Sequence, residues 1–241
     1  MPTLLKSFKP TAADCSKPDL VARLRRVKLL CLLVFATVVA GPVLAQSPAR
    51  NSSRPAVTTV MIVGDSLSAE YGLRRGTGWV PMLEKQLASD NVKAKVVNVS
   101  ISGDTTSGGR SRLPALLTQH KPGIVVIELG ANDALRGLPL DMTEKNLQAM
   151  TQASKKAGAQ VLLLGMQVPP NYGGVYGRTF SNMFAKIATE ERVALVPFFL
   201  KDVSDGADAI ANFQADRIHP NETSQAKMLA NVWPELKKMI P

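Results

Sequence analysis

Ser66 stands at the end of Val60-Met61-Ile62-Val63-Gly64-Asp65 and is followed by Leu67-Ser68. An apolar, partly β-branched run that stops at glycine and resumes with an acid and a hydroxyl reads as a strand, a tight turn and the start of a helix. A serine in such a turn is lifted clear of the sheet, with helix N-terminal N–H groups aimed at whatever it attacks. The serine hydroxyl is a weak nucleophile near neutral pH and needs a base. The chain offers two histidines, His120 and His219. Asp216 lies three residues before His219 and can reach Nδ1 within one turn, leaving Nε2 free for a hydroxyl. Acyl transfer also needs donors for a developing oxyanion. The backbone N–H groups of Ser66 and Gly103 and the side-chain amide of Asn132 are candidates.

Each fragment alone has a blander reading. Gly-Asp-Ser is often a turn with a helix cap, Asn-Asp after a strand is often a turn, and Asp-x-x-His recurs by accident. Asp65 and Asp133 read as carboxylates bonding nearby backbone, and Glu128 in an apolar run reads as a satisfied structural carboxylate. What favours chemistry is joint occurrence at one edge of a fold, and that depends on the elements that carry the residues.

Five strand-like runs are near-continuously apolar: Thr58–Val63, Val92–Val99, Ile124–Leu129, Gln160–Leu164 and Val193–Pro197. This pattern suits strands buried on both faces. Helical patterns lie between them. Val80–Leu87 has Pro81 in its first turn, with Val80, Leu83 and Leu87 on one face. Thr143–Ala157 reads as capped by Thr143, turned inward at Leu147, Met150 and Ala157, and stopped by Gly158. Phe180, Met183, Phe184 and Ile187 keep helical spacing, and Ala226, Leu229, Trp233 and Leu236 form a final stripe near Pro234. Alternating β and α predicts an α/β fold of three layers, a five-stranded parallel sheet with helices on both faces. Function in such sheets gathers at the carboxyl ends of the strands. Ser66, Gly103, Asn132 and the Asp216/His219 pair all come after strands, whereas His120 precedes the third strand and falls on the opposite rim.

The chain has 241 residues, 45% hydrophobic and 20% charged, which suits one globular domain with a sizeable core. Half of the net charge of +10 lies in residues 1–45, which hold seven Lys/Arg and two acids. The rest has no basic run and few aromatics, which argues against a nucleic-acid partner. Residues 1–45 read as a signal peptide: Arg23, Arg25, Arg26 and Lys28, an apolar run Leu29–Val39, a Gly41-Pro42 break, and cleavage after Ala45. The expectation is a periplasmic or secreted protein without stable membrane insertion after cleavage. Both cysteines, Cys15 and Cys31, fall in that segment, so the remainder has no disulfide and no thiol. Residues 46–56 are Pro/Ser-rich and read as a disordered lead-in to a domain over 57–241. No metal is expected, since His219 has no second histidine or cysteine on its rim.

Gly64-Asp65-Ser66-Leu67-Ser68, then Gly103, then Gly130-Ala131-Asn132-Asp133, then Asp216-Arg217-Ile218-His219-Pro220 resemble the four signature blocks of the GDSL/SGNH hydrolases. Ile101–Thr105, Arg112–Leu117, Glu128–Gly130, Pro170–Gly173 and Pro197–Phe199 resemble the subfamily of bacterial periplasmic multifunctional acyl-CoA thioesterases, proteases and lysophospholipases and related arylesterases. The resemblance spans roughly residues 57–240. It implies a flavodoxin-like sheet, a triad of Ser66, Asp216 and His219, an oxyanion hole of Ser66, Gly103 and Asn132, and hydrolysis of acyl esters and thioesters without cofactor or metal.

The expected substrate is a small acyl ester, thioester or lysolipid, taken by a monomer. Trp79, Met166, Val168, Pro169 and Tyr172 are the candidate groove lining, in or near loops 74–79 and 171–176. Two other functions fit parts of the pattern. A carbohydrate deacetylase would use the same triad but favours aromatic platforms, and the chain has two Trp and three Tyr. A flavin-binding electron carrier would use hydroxyl-rich loops 64–68 and 102–107 as a phosphate cradle at helix N-termini. It gives the Asp216/His219 pair no task.

Overall fold

The computed structural model describes residues 57–206 and 208–241. The expected signal peptide and lead-in, residues 1–56, lie outside the described residues. Five parallel strands form one sheet: β1 (Thr58–Gly64), β2 (Ala94–Asn98), β3 (Ile124–Glu128), β4 (Gln160–Leu164) and β5 (Ala194–Val196), in the order β2-β1-β3-β4-β5. The central strands are apolar throughout because both faces are covered: Val60 to Val63 and Ile124 to Ile127 are all 0–1% exposed. Each such side chain contributes about 1.5–3 kcal/mol relative to exposure. The outer strands β2 and β5 are only half-buried, and pairing there is shorter than the apolar runs suggested.

Crossover handedness sorts the helices. The chain steps one way from β1 to β2 and the other way from β2 through β3, β4 and β5, so right-handed connections place the first crossover helix on one face and the next ones on the other. Accordingly α1 (Trp79–Ser89) packs with α6 (Gln225–Met239), while α2 (Thr106–His120), α4 (Leu140–Lys156) and α5 (Gly174–Glu191) pack in a row. A short helix α3 (Ala131–Leu135) comes directly after β3. Phe180, Met183, Phe184 and Ile187 are all buried on α5, as their spacing predicts, and Phe180 meets Phe184 edge-on at 5.4 Å.

Three helical expectations need correction. Thr143 is not a cap: α4 starts at Leu140 with Pro139 at the N-cap, and the buried Thr143 hydroxyl donates to Asp133 Oδ1 at 3.3 Å. Ala157 is exposed beyond the end of α4, and Ser154 takes the inward position. On α6 the buried line is Gln225, Met228, Val232 and Leu236, so Leu236 is inward as expected while the other three expected positions fall one residue off the line. Trp233 lies at its edge with Lys237 Nζ 5.4 Å from its ring centre, and Ala226 is exposed. An indole with a cation over one face is suited to a half-wet edge position.

Candidate active site

β2, β1 and β3 are neighbours in the sheet, so the loops that leave their carboxyl ends must come together. After β1 the chain turns at Asp65-Ser66. The Asp65 carboxylate accepts the Leu67 N–H through Oδ1 at 3.0 Å, which closes the turn and presents Ser66. Gly64 is required here, because a Cβ would lie 2.7 Å from Glu128 Oε2 and 2.8 Å from Ser68 Oγ. After β2 the loop reaches Gly103 at φ +79, a left-handed conformation that suits glycine. Asp104 N–H donates to Ile101 O at 3.0 Å, and the exposed Arg136 guanidinium donates to Gly103 O at 2.9 Å, so both ends of that loop are held. After β3, Asn132 sits in the first turn of α3 and donates from Nδ2 to Asp65 Oδ2 at 3.0 Å. Among the described residues, neither the Ser66 N–H nor the Gly103 N–H has a hydrogen-bond partner.

His219 arrives from a separate loop before α6. Phe213 and Pro220 form an antiparallel bridge, Gln214 N–H donates to His219 O at 2.8 Å, and Arg217 N–H donates to Gln214 O at 2.9 Å. Arg217 is left-handed at φ +59, which costs about 1–2 kcal/mol for a residue with a Cβ. This turn lets Asp216 Oδ1 accept the N–H groups of Ile218 and His219 at 2.9 and 3.0 Å. Asp216 Oδ2 is then 2.7 Å from His219 Nδ1, and His219 Nε2 is 2.8 Å from Ser66 Oγ. Partial desolvation pushes the Asp216 carboxyl up, but the hydrogen bond from His219, the two backbone N–H groups and the field of the imidazole outweigh it and hold the carboxyl down at about 2. Asp216 is therefore a carboxylate at any pH at which the fold is expected to work, and it favours the His219 tautomer with the proton on Nδ1.

The structure brings Ser66, Asp216 and His219 into one hydrogen-bonded line. Asn132 joins it through Asp65, and Gly103 lies on the neighbouring strand end. His120 ends α2, away from this rim. Groove lining is less faithful to expectation. Trp79 is fully buried, edge-on to Phe199 at 5.5 Å, with its backbone N–H bonded to Gln225 Oε1 at 3.1 Å. Its position at the start of α1 anchors the helix to α6, so it cannot line a surface groove. Met166 is 5% exposed and belongs to the core. Val168 and Tyr172 are half-buried and Pro169 is exposed, so these three remain available to a substrate.

Two further residues escaped sequence reasoning, one against His219 and one behind the Ser66 turn. Tyr71 lays its ring against His219, centroids 4.4 Å apart, and is half-exposed. Its only sequence signal is an aromatic residue in a turn-rich stretch five residues after Ser66. Asn98, at the end of β2, donates to Ser68 O at 2.7 Å and steadies the turn from the other side. Asp133 is structural, as expected, but it binds more than nearby backbone. Its oxygens accept the N–H and hydroxyl of Thr106, tying α3 to α2. Among the described residues no group of three His, Cys, Asp or Glu could hold a metal ion.

This fold, with a serine at the β1 turn facing an Asp-His pair, is that of an SGNH-type hydrolase built on a flavodoxin-like sheet. The model of the GDSL-like Lipase/Acylhydrolase family matches residues 62–227, and the chain belongs to that family. Esterase TesA of Pseudomonas aeruginosa is 49% identical over 189 residues, covering 78% of this chain and 92% of that one. The protein of Escherichia coli K12 named Thioesterase 1/protease 1/lysophospholipase L1 is 44% identical over 170 residues, covering 70% of this chain and 79% of its own. A crystal structure of TesA matches with a TM-score of 0.72 at 49% identity, covering 76% of this chain and 99% of that one. The protein is an esterase of this family, which decides between the hydrolase and electron-carrier readings of the sequence.

Proposed function

We propose that the protein hydrolyses small acyl esters, acyl thioesters and lysolipids through Ser66 as nucleophile, His219 as general base and acid, and Asp216 as the carboxylate that orients His219. The observation that most supports this reading is the continuous line Ser66 Oγ, His219 Nε2, His219 Nδ1, Asp216 Oδ2 at 2.8 and 2.7 Å. In the first step Ser66 Oγ bonds to the substrate carbonyl carbon while His219 Nε2 takes the hydroxyl proton. The carbonyl oxygen gains the charge and is received by the Ser66 N–H, the Gly103 N–H and the Asn132 amide. His219 then returns the proton to the departing alcohol or thiol as the C–O or C–S bond breaks. Water repeats the sequence on the acyl-enzyme, giving the acid and free Ser66. The names of the relatives support breadth across esters, thioesters and lysolipids. Val168, Pro169 and Tyr172 line the acyl side of the groove.

The apolar and basic features of residues 1–45 support export to the periplasm, with cleavage after Ala45. Among the described residues no helix is long and apolar enough to cross a membrane. A monomer suffices for this reading, since every proposed group comes from one chain.

The test is turnover of p-nitrophenyl esters and acyl thioesters of increasing chain length by the protein and by Ser66→Ala. Turnover of both classes is expected, with a loss on the order of 10⁶ in kcat for the variant. Retention of turnover by Ser66→Ala would remove Ser66 from the chemistry.

A further inference from the structure

Below Ser66 lies a buried pair of carboxyl groups with no part in the catalytic steps. Asp65 is 1% exposed and Glu128 2% exposed. The Asp65 N–H donates to Glu128 Oε2 at 3.2 Å, so the two carboxyl groups are neighbours in a dry site, where both cannot be charged at once. Glu128 Oε2 accepts from Ser68 Oγ at 2.7 Å and from Asp65 N–H at 3.2 Å. Ser68 Oγ in turn accepts the Trp79 indole N–H at 3.2 Å. Asp65 Oδ1 accepts the Leu67 N–H and Oδ2 accepts Asn132 Nδ2. The Arg112 guanidinium approaches Gly64 O at 3.5 Å but is paired with Asp104 at 2.9 Å. His219 acts on Asp65 through space from the substrate side. Among the described residues no cation is paired with Asp65 or Glu128.

We propose that Glu128 and Asp65 are positioning residues of the oxyanion site, sharing one proton so that a single negative charge resides on Asp65 and locks the Asn132 amide with one N–H on the carboxylate and the other turned to the substrate. This rests on the proposed role of Asn132. The division of the proton is set by the contacts. Asp65 takes one donor on each oxygen, Leu67 N–H on Oδ1 and Asn132 Nδ2 on Oδ2, whereas both donors to Glu128, Ser68 Oγ and the Asp65 N–H, fall on Oε2 and leave Oε1 to carry the proton. Burial pushes Glu128 well above the usual carboxylate range and the charge of Asp65 pushes it further. Burial also raises Asp65, and its donors bring it back only to about 6. Glu128 is thus the neutral acid that donates, and Asp65 the anion that accepts. An amide with a free Nδ2 could rotate and offer its oxygen to the oxyanion; a fixed anion on one side of it forbids that, because only the N–H edge can face a carboxylate. Three oxygens, Glu128 Oε2, Ser68 Oγ and the unpartnered buried Ser100 Oγ, also crowd the place where a Gly64 Cβ would stand, so the pair is fitted to this backbone.

The experiment is a double-mutant cycle with kcat and KM for one acyl ester. Asn132→Ala and Asp65→Asn should each lower kcat by about 10² or more, with KM changed less than threefold. Asp65→Asn in the Asn132→Ala background should cost no further tenfold, since it acts through an amide already gone. Independent, multiplicative losses would overturn the proposal while leaving the oxyanion role of Asn132 intact; an unchanged kcat in Asn132→Ala alone would sink that role itself. Should Asp65→Asn fail to fold, Glu128→Ala and Glu128→Gln take its place. The glutamine keeps both an acceptor for Ser68 and a donor for Asp65, so it should recover at least tenfold of the kcat lost in Glu128→Ala. Equal rates in the two variants would show that the donated hydrogen bond carries nothing.

Discussion

Asp65 and Asp216 are the same residue type, stand on the same rim and flank the same serine, yet their acidities move in opposite directions. Asp216 lies in an open loop, takes two backbone N–H groups and an imidazole, and is held near 2. Asp65 lies under the turn, receives one backbone N–H and one neutral amide, faces another carboxyl group, and is raised to about 6. Solvent access and the number of donors separate them. A carboxylate that must stay charged while a histidine cycles is built in water with donors around it. A carboxylate that must hold a neutral amide still is built in the dry and shares its proton.

The sharpest way to break this contrast is Asp216→Asn, which keeps the shape and removes the charge. It is expected to lower kcat by about 10⁴ because the histidine loses the partner that sets its tautomer. A loss below tenfold would mean the carboxylate is only a loop brace. The next effect is on the other side of the serine. Asn132→Ala should lower kcat by ~10²–10³, with circular dichroism unaltered, and a normal kcat would detach Asp65 from catalysis altogether.

The smallest effect is on stability, and its sign separates the two carboxylates. Asp65 and Glu128 have folded acidities raised above the unfolded range of about 4. The folded state therefore holds the extra protons, and the stability this gives is present below about pH 4 and lost as pH rises, through about 6 for Asp65 and further up for Glu128. Asp216 behaves oppositely, its contribution being present above about pH 4 and lost on acidification towards 2. Thermal melts from pH 4 to 7.5 should show the wild type losing about 2–4 °C relative to Glu128→Gln as pH rises. Parallel curves would mean the pair is not protonated as described.

Much of this site could be read from residue order. Gly64-Asp65-Ser66 and Asp216-Arg217-Ile218-His219 are local patterns, and their strands announce themselves because burial on both faces leaves no polar interruption in Val60–Val63 or Ile124–Ile127. Glu128 could be recognised as a structural carboxylate but not assigned a partner, since Asp65 lies 63 residues away and the two meet only through the β1–β3 register. Trp79 misled because an aromatic residue between a glycine-rich loop and a helix can face either way; its contact with Gln225, 146 residues on, turns it inward. Helix α2 gave no clear periodicity, since Gly108, Gly109 and Pro114 interrupt it. Tyr71 left no pattern because its place over His219 is set by a loop conformation and not by spacing.

The bond between Ser66 and His219 spans 153 residues, joining the first strand to a loop just before the last helix. On the proposed roles, a growing chain carries its serine early and its base almost at the end. A chain truncated before the bridge between Phe213 and Pro220 has no base to offer, whatever else has folded. Competence is thus tied to completeness: unfinished or clipped copies are silent towards the acyl groups around them.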